Sequence, residues 1–230
     1  MDGFPFHVEV VRTDRKRSAS IRLLGDLVKV SVPMTLSDSR IRNLVTKRTP
    51  WIKNKLQEYS NRPNVLPKEY VSGDTVTYLG KNYRLKVLVG EQPSIKLRRG
   101  YVEATVTKTD IDKKNTIRSL LEHWYRSLAE KRLGEKTVRL AGVIGVNPAS
   151  VTVKNYKSRW GSCSTKGDIS YNWRIILAPH SIVDYVVVHE LCHMLEHNHS
   201  SKYWKHVERH LPNWRESRNW LKENSENLSI

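Results

Sequence analysis

The chain has 230 residues, 38% of them apolar, with seven Trp, ten Tyr and 40 Lys plus Arg against 23 Asp plus Glu, a net charge of +17. That is apolar mass enough for one substantial core, or for a main domain with a smaller companion, and it excludes wholesale disorder. No apolar run reaches the ~18 residues of a membrane-spanning helix, the start MDGFPFHVEV lacks the order of a signal peptide, and Cys163 and Cys192 are too few for a disulfide framework; a cytoplasmic protein without membrane contact is expected.

Residues 7–32 alternate apolar and polar through HVEVV, SASIRLL and DLVKVSV, with TDRKR and Gly25-Asp26 as turns; period two predicts a short antiparallel meander closed by Pro33. Ser37 opens a helical stretch through Ile41, Leu44 and Val45, and Thr49-Pro50 reads as a cap and first-turn proline of a second helix through Ile52 and Leu56. Residues 61–64 read as a linker. From Glu69 to Val106 the segments DTVTYLG, NYRLKVLVG, SIKLRR and YVEATV read as strands between glycine-centred turns.

A long amphipathic segment follows, carrying Ile117, Leu120, Leu121, Trp124, Leu128 and Leu133 at helical spacing and ending near Gly134 or Gly142. SVTVKNY and the Ile169–Trp173 stretch then read as strands around a loop, residues 157–164, and the chain turns helical after Pro179. The architecture is α+β, divided into a β-rich basic region, residues 1–108, and a second domain, residues 109–230. The first 100 residues hold 20 basic and 9 acidic side chains. This excess reads either as a nucleic-acid contact through the N-terminal half or as a solvated face that keeps the protein soluble.

His189-Glu190-Leu191-Cys192-His193 matches H-E-x-x-H. Histidines four apart project from one helix face, where one zinc ion can bridge them, and Glu190 lies one step round, placed to accept a hydrogen bond from water instead of ligating. A catalytic zinc takes a third protein ligand and leaves one position for water. Glu196, His197, His199, His206, Glu208 and His210 are nearby. On a continuing helix His197 would stand about 12 Å from His189, too far for bonds of ~2.1 Å. Asn198 is a residue type that ends helices in the left-handed conformation, which would fold His199 back towards the metal; His189, His193 and His199 are the favoured set. His206 and His210 read as a surface pair on a Tyr203, Val207, Leu211 stripe.

RWGSCS (159–164), NWRIILAP (172–179), DYVVVHELCH (184–193) and NHSSKYW (198–204), in this order and spacing, resemble the YgjP-like family of metal-dependent hydrolases. That family is similar to the SprT-like and WLM zinc metallopeptidases. The resemblance covers nearly the whole chain and implies a zincin-like domain in which an active-site helix packs on a small antiparallel sheet. It also implies zinc on His189, His193 and His199, with Glu190 as general base. A further implication is that the Ile169–Trp173 strand or the RWGSCS segment pairs with extended substrate, which makes Arg159 a candidate contact to substrate or oxyanion; a turn held by Gly161 is the structural alternative.

The expected function is a zinc metallopeptidase acting on a peptide or protein. Two alternatives stand beside it: a DNA-associated accessory protein with a structural metal, and a hydrolase of a non-peptide amide or ester.

Overall fold

A computed structural model describes residues 3–60 and 68–230 and divides the chain into two compact units, Met1–Pro67 and Lys68–Ile230. The linker expected at residues 61–64 lies outside the described residues. The division falls well before the boundary expected near residue 108. The reason is packing: Val76, Leu85, Val102, Ala104 and Val106 bury their side chains in the same core as Leu121, Trp173 and Val187.

In the first unit, β1 (His7–Thr13), β2 (Ser20–Leu24) and β3 (Leu27–Pro33) form a sheet in the order β1-β3-β2. Strands β2 and β3 make the expected hairpin about Gly25-Asp26, but β1 pairs parallel to β3, so the sheet is not a meander. The central place falls to β3 because Val28, Val30 and Val32 present a fully buried face, and the middle strand offers most cover. One helix, α1 (Asp38–Ser60), replaces the two expected and runs through Pro50. The proline forfeits one backbone hydrogen bond, yet Ile41, Val45 and Ile52 all reach the core at helical spacing only if the helix continues.

In the second unit, β4 (Thr75–Tyr78), β5 (Lys81–Val89), β6 (Ser94–Arg98) and β7 (Tyr101–Val106) form a sheet in the order β4-β5-β7-β6, with β5 and β7 parallel. Helix α2 (Lys113–Ile144) starts at Asp112, whose carboxylate accepts from the Asn115 backbone N–H, and ends at Gly145 with φ 83°. It passes through both glycines expected to stop it. Its buried residues Ile117, Leu121, Tyr125, Ala129, Leu133, Thr137 and Ala141 recur every fourth position, and Thr137 hydrogen-bonds the buried Tyr171 hydroxyl at 3.0 Å; that continuous stripe outweighs the ~1 kcal/mol helix cost of each glycine.

The sheet beside the candidate site contains β8 (Ser150–Lys154), β9 (Gly161–Cys163) and β10 (Asp168–Asn172) in the order β8-β10-β9. It is mixed, with β8 parallel and β9 antiparallel to β10, where an antiparallel sheet was expected. Part of the expected loop is therefore the edge strand β9. A 3-10 turn (Trp173–Leu177) leads to α3 (His180–Cys192), followed by α4 (Ser201–His210) and α5 (Trp214–Asn224). Every apolar residue of α3 from Ile182 to Cys192 is buried, so this helix is hydrophobic nearly all round and forms the middle of the unit.

Candidate metal centre

Helix α3 carries His189 one turn before its end, and His193 is its C-terminal cap. The chain then reverses through Met194 N–H to Leu191 C=O, Glu196 N–H to Cys192 C=O, and Ser200 N–H to Asn198 C=O. Asn198 is not among the residues with positive φ. The left-handed reversal expected there is replaced by successive tight turns, and the Ser200 hydroxyl caps α4 by accepting from the Tyr203 N–H. His197 also escapes for a different reason than expected: the helix has ended before it, and its side chain is exposed.

The reversal gathers one ligand-type nitrogen each from His189, His193 and His199 within 4.8 Å of one another. Nε2 of His189 and Nε2 of His199 are 3.2 Å apart, close to the ~3.3 Å between two nitrogens ~2.05 Å from one tetrahedral zinc. His193 Nδ1 lies 3.3 Å from the Glu196 carbonyl. A carbonyl only accepts, so this contact puts the proton on Nδ1 and leaves the Nε2 lone pair free. His189 Nδ1 is buried without a hydrogen-bond partner.

Burial lowers the proton affinity of all three imidazoles, taking His189 down to about 3, with His193 and His199 adding repulsion. Neutral, convergent imidazoles are what a cation needs, so the residues fit a metal ion. Tyr203 braces the cluster. Its hydroxyl donates to the His189 carbonyl at 2.9 Å and its ring stacks on His193 at 4.5 Å.

Glu190 is 5% exposed. Burial pushes its carboxyl up to about 8, against an opposing pull from the Arg159 guanidinium. Arg159 is exposed and lies with its guanidinium 5.5 Å from the Tyr156 ring centre. Its charge reaches Glu190, while His189 and His199 feel a different cation.

That cation is Arg218 on α5, whose charge lowers the proton affinity of His189 and His199. Its guanidinium packs 5.1 Å from Trp204 and 5.9 Å from Trp214, which stack on each other at 4.1 Å, and Trp204 lies 5.6 Å from His199. Sequence reasoning missed Arg218. Its only signal is its place one helical turn after Trp214, which ties it to the aromatic cluster only when α4 and α5 are seen side by side. His206 and His210 are on α4 outside the cluster, and both cysteines are free thiols.

Three histidines able to share one ion beside a buried carboxyl group are an arrangement suited to metal-dependent hydrolysis. Residues 17–224 match the family model described as YgjP-like, metallopeptidase domain. The chain belongs to that family. Among solved structures, the metallopeptidase zymogen abylysin of Pyrococcus abyssi is similar at 22% identity and a TM-score of 0.36, over 39% of this chain and 93% of that one. Comparison with curated proteins gives no significant match. Among the described residues, no helix is long and apolar enough to cross a membrane.

Proposed function

We propose that the chain is a zinc peptidase in which His189, His193 and His199 hold the ion and Glu190 moves the proton of the attacking water. The observation that carries this reading is the buried Glu190 directly following a histidine of the cluster. A zinc ion held there would acidify water and polarise a carbonyl. Three protein ligands suit that role, because a structural zinc takes four.

Glu190 has a carboxyl whose affinity for protons is raised by burial to near neutrality, which suits a group that first takes a proton and then returns it to a leaving amine. The charge of Arg159 acts on Glu190 and that of Arg218 on His199, and positive charge beside the cluster would favour a carbonyl oxygen that gains negative charge. Strand β9 uses one edge to pair with β10 and is the last strand on that side of its sheet. Its other edge offers backbone groups to an extended chain, which favours a peptide over a compact amide or ester.

Glu190→Gln tests the assignment. The variant is expected to keep its zinc and to lose at least 100-fold in cleavage of a denatured protein such as casein; retained zinc with undiminished cleavage contradicts it.

A further inference from the structure

Residues 155–160, which lead into Gly161, line a cavity of about 510 Å³. Lys157, Arg159 and Arg174 contribute three cations to its lining, and Glu226 one carboxylate. None of these three cations makes an ion pair among the described residues.

The two arginines are held in place. Arg174 lies 4.5 Å from the Trp173 ring centre and donates to the Asn155 side-chain oxygen. Arg159 lies over Tyr156. The loop between them is fixed by the buried Asn172, whose Nδ2 donates to the carbonyls of Tyr156 and Arg159 at 3.0 and 3.2 Å. Trp160 ties the opposite wall by donating from Nε1 to Ser225 Oγ at 3.3 Å. Guanidinium groups with their faces on aromatic rings keep their N–H edges for a planar anion, and the rings spare them the cost of ordering.

We propose that this cavity is a substrate subsite for a carboxylate, carried by an Asp or Glu side chain or by a free C-terminus, close to the bond that is cut. The proposal rests on the peptidase reading above. Gly161 touches Glu190, and Arg159 stands two residues, at most ~7 Å of chain, before it. A peptide laid along the free edge of β9 with its reacting carbonyl near Glu190 therefore brings a side chain one or two residues away to the cavity mouth. The net positive lining favours a carboxylate there and disfavours Lys or Arg.

The test uses the zinc-loaded full chain and dye-quencher decapeptides that carry Glu or Gln at each position in turn, with the C-terminus free or amidated. Cleavage is expected to prefer Glu over Gln at one position by about tenfold or more in kcat/KM. That ratio is expected to fall towards one in Arg174→Gln and in Lys157→Gln, the latter in an exposed loop where substitution leaves folding intact. A Glu-over-Gln preference that survives amidation assigns the side chain, and a preference for the free over the amidated C-terminus that is the same for Glu and Gln peptides assigns the terminal carboxylate.

Anisotropy of the same peptides, dye-labelled, on Glu190→Gln protein separates this idea from the peptidase reading. Tighter binding of the Glu peptide that both variants abolish upholds the subsite even if nothing is cleaved. Cleavage with neither a Glu-over-Gln nor a free-over-amidated difference, or a difference that both variants retain, overturns the subsite and leaves the peptidase reading standing.

Discussion

Gly161 and Glu190 are packed so closely that no side chain fits between them: a Cβ on Gly161 would lie 2.5 Å from Glu190 Oε1 and 2.7 Å from its Cδ. The glycine does not have a positive φ, so it is the approach of β9 to the carboxylate that demands it. Gly161→Ala must push Glu190 aside or lift β9, at a cost of roughly 1–3 kcal/mol. Zinc content is expected to stay unchanged while kcat/KM falls by roughly 10- to 100-fold. Elemental analysis beside a peptide-cleavage assay checks this; full activity in the alanine variant means that Glu190 has no fixed working position.

Tyr203→Phe removes one hydroxyl that donates to the His189 carbonyl and keeps the ring against His193. The expected loss is about 1 kcal/mol of stability, read by urea denaturation, with zinc retained. Tyr203→Ala also removes the support under His193 and is expected to weaken zinc binding at least tenfold. Equal zinc affinity in the two variants would show that the ring does not orient the imidazole.

Arg218→Gln removes a cation that opposes positive charge on His189 and His199. Its sign is therefore split. Zinc should bind a few-fold tighter, because like-charge repulsion is relieved, while kcat falls if the same guanidinium faces the charge that develops on the substrate. Competition with a zinc chelator and steady-state kinetics measure the two effects; weaker zinc binding contradicts the placement of the charge.

The zinc-free protein should show an unusual pH response. Glu190 titrates near 8 in the folded chain against an ordinary 4.5, so the folded state holds this proton more tightly than the unfolded state. The resulting stability is fully present below about 4.5, is lost as pH rises and is gone above about 8. His189, lowered from 6.5 to about 3, acts oppositely: its contribution is present above 6.5 and is lost as pH falls through about 3. Denaturation of zinc-free wild type and Glu190→Gln isolates the glutamate. Wild type is expected to lose on the order of a few kcal/mol relative to the variant between about pH 5 and pH 8, and less when zinc is present, since a nearby cation favours the carboxylate. Parallel curves in zinc-free protein contradict the burial argument.

Much of this arrangement is legible in the sequence because it rests on local periodicity. The strands from Thr75 to Val106 follow their alternation, and His189 and His193 follow from a spacing of four on a helix that Pro179 starts. Legibility fails where non-local packing decides. Pro50 stays inside α1 because Ile52 belongs to the same core as Ile41, and Gly134 and Gly142 stay inside α2 because Thr137 and Ala141 still face buried partners. The structure brings His199 to His189, but by turns through Glu196 and Ser200 and not by a left-handed Asn198. Strand β9 is hidden because its three residues pair only with β10, and Arg218 because Trp204 and His199, on which it acts, lie outside its own helix.

The most direct measurement is zinc per chain after dialysis for wild type, His199→Ala and His197→Ala. The account predicts one zinc in wild type, one in His197→Ala, and little or none in His199→Ala. A wild type that retains no metal, or a His199→Ala variant that keeps its full zinc while His197→Ala loses it, contradicts the three-histidine centre on which the proposed chemistry depends.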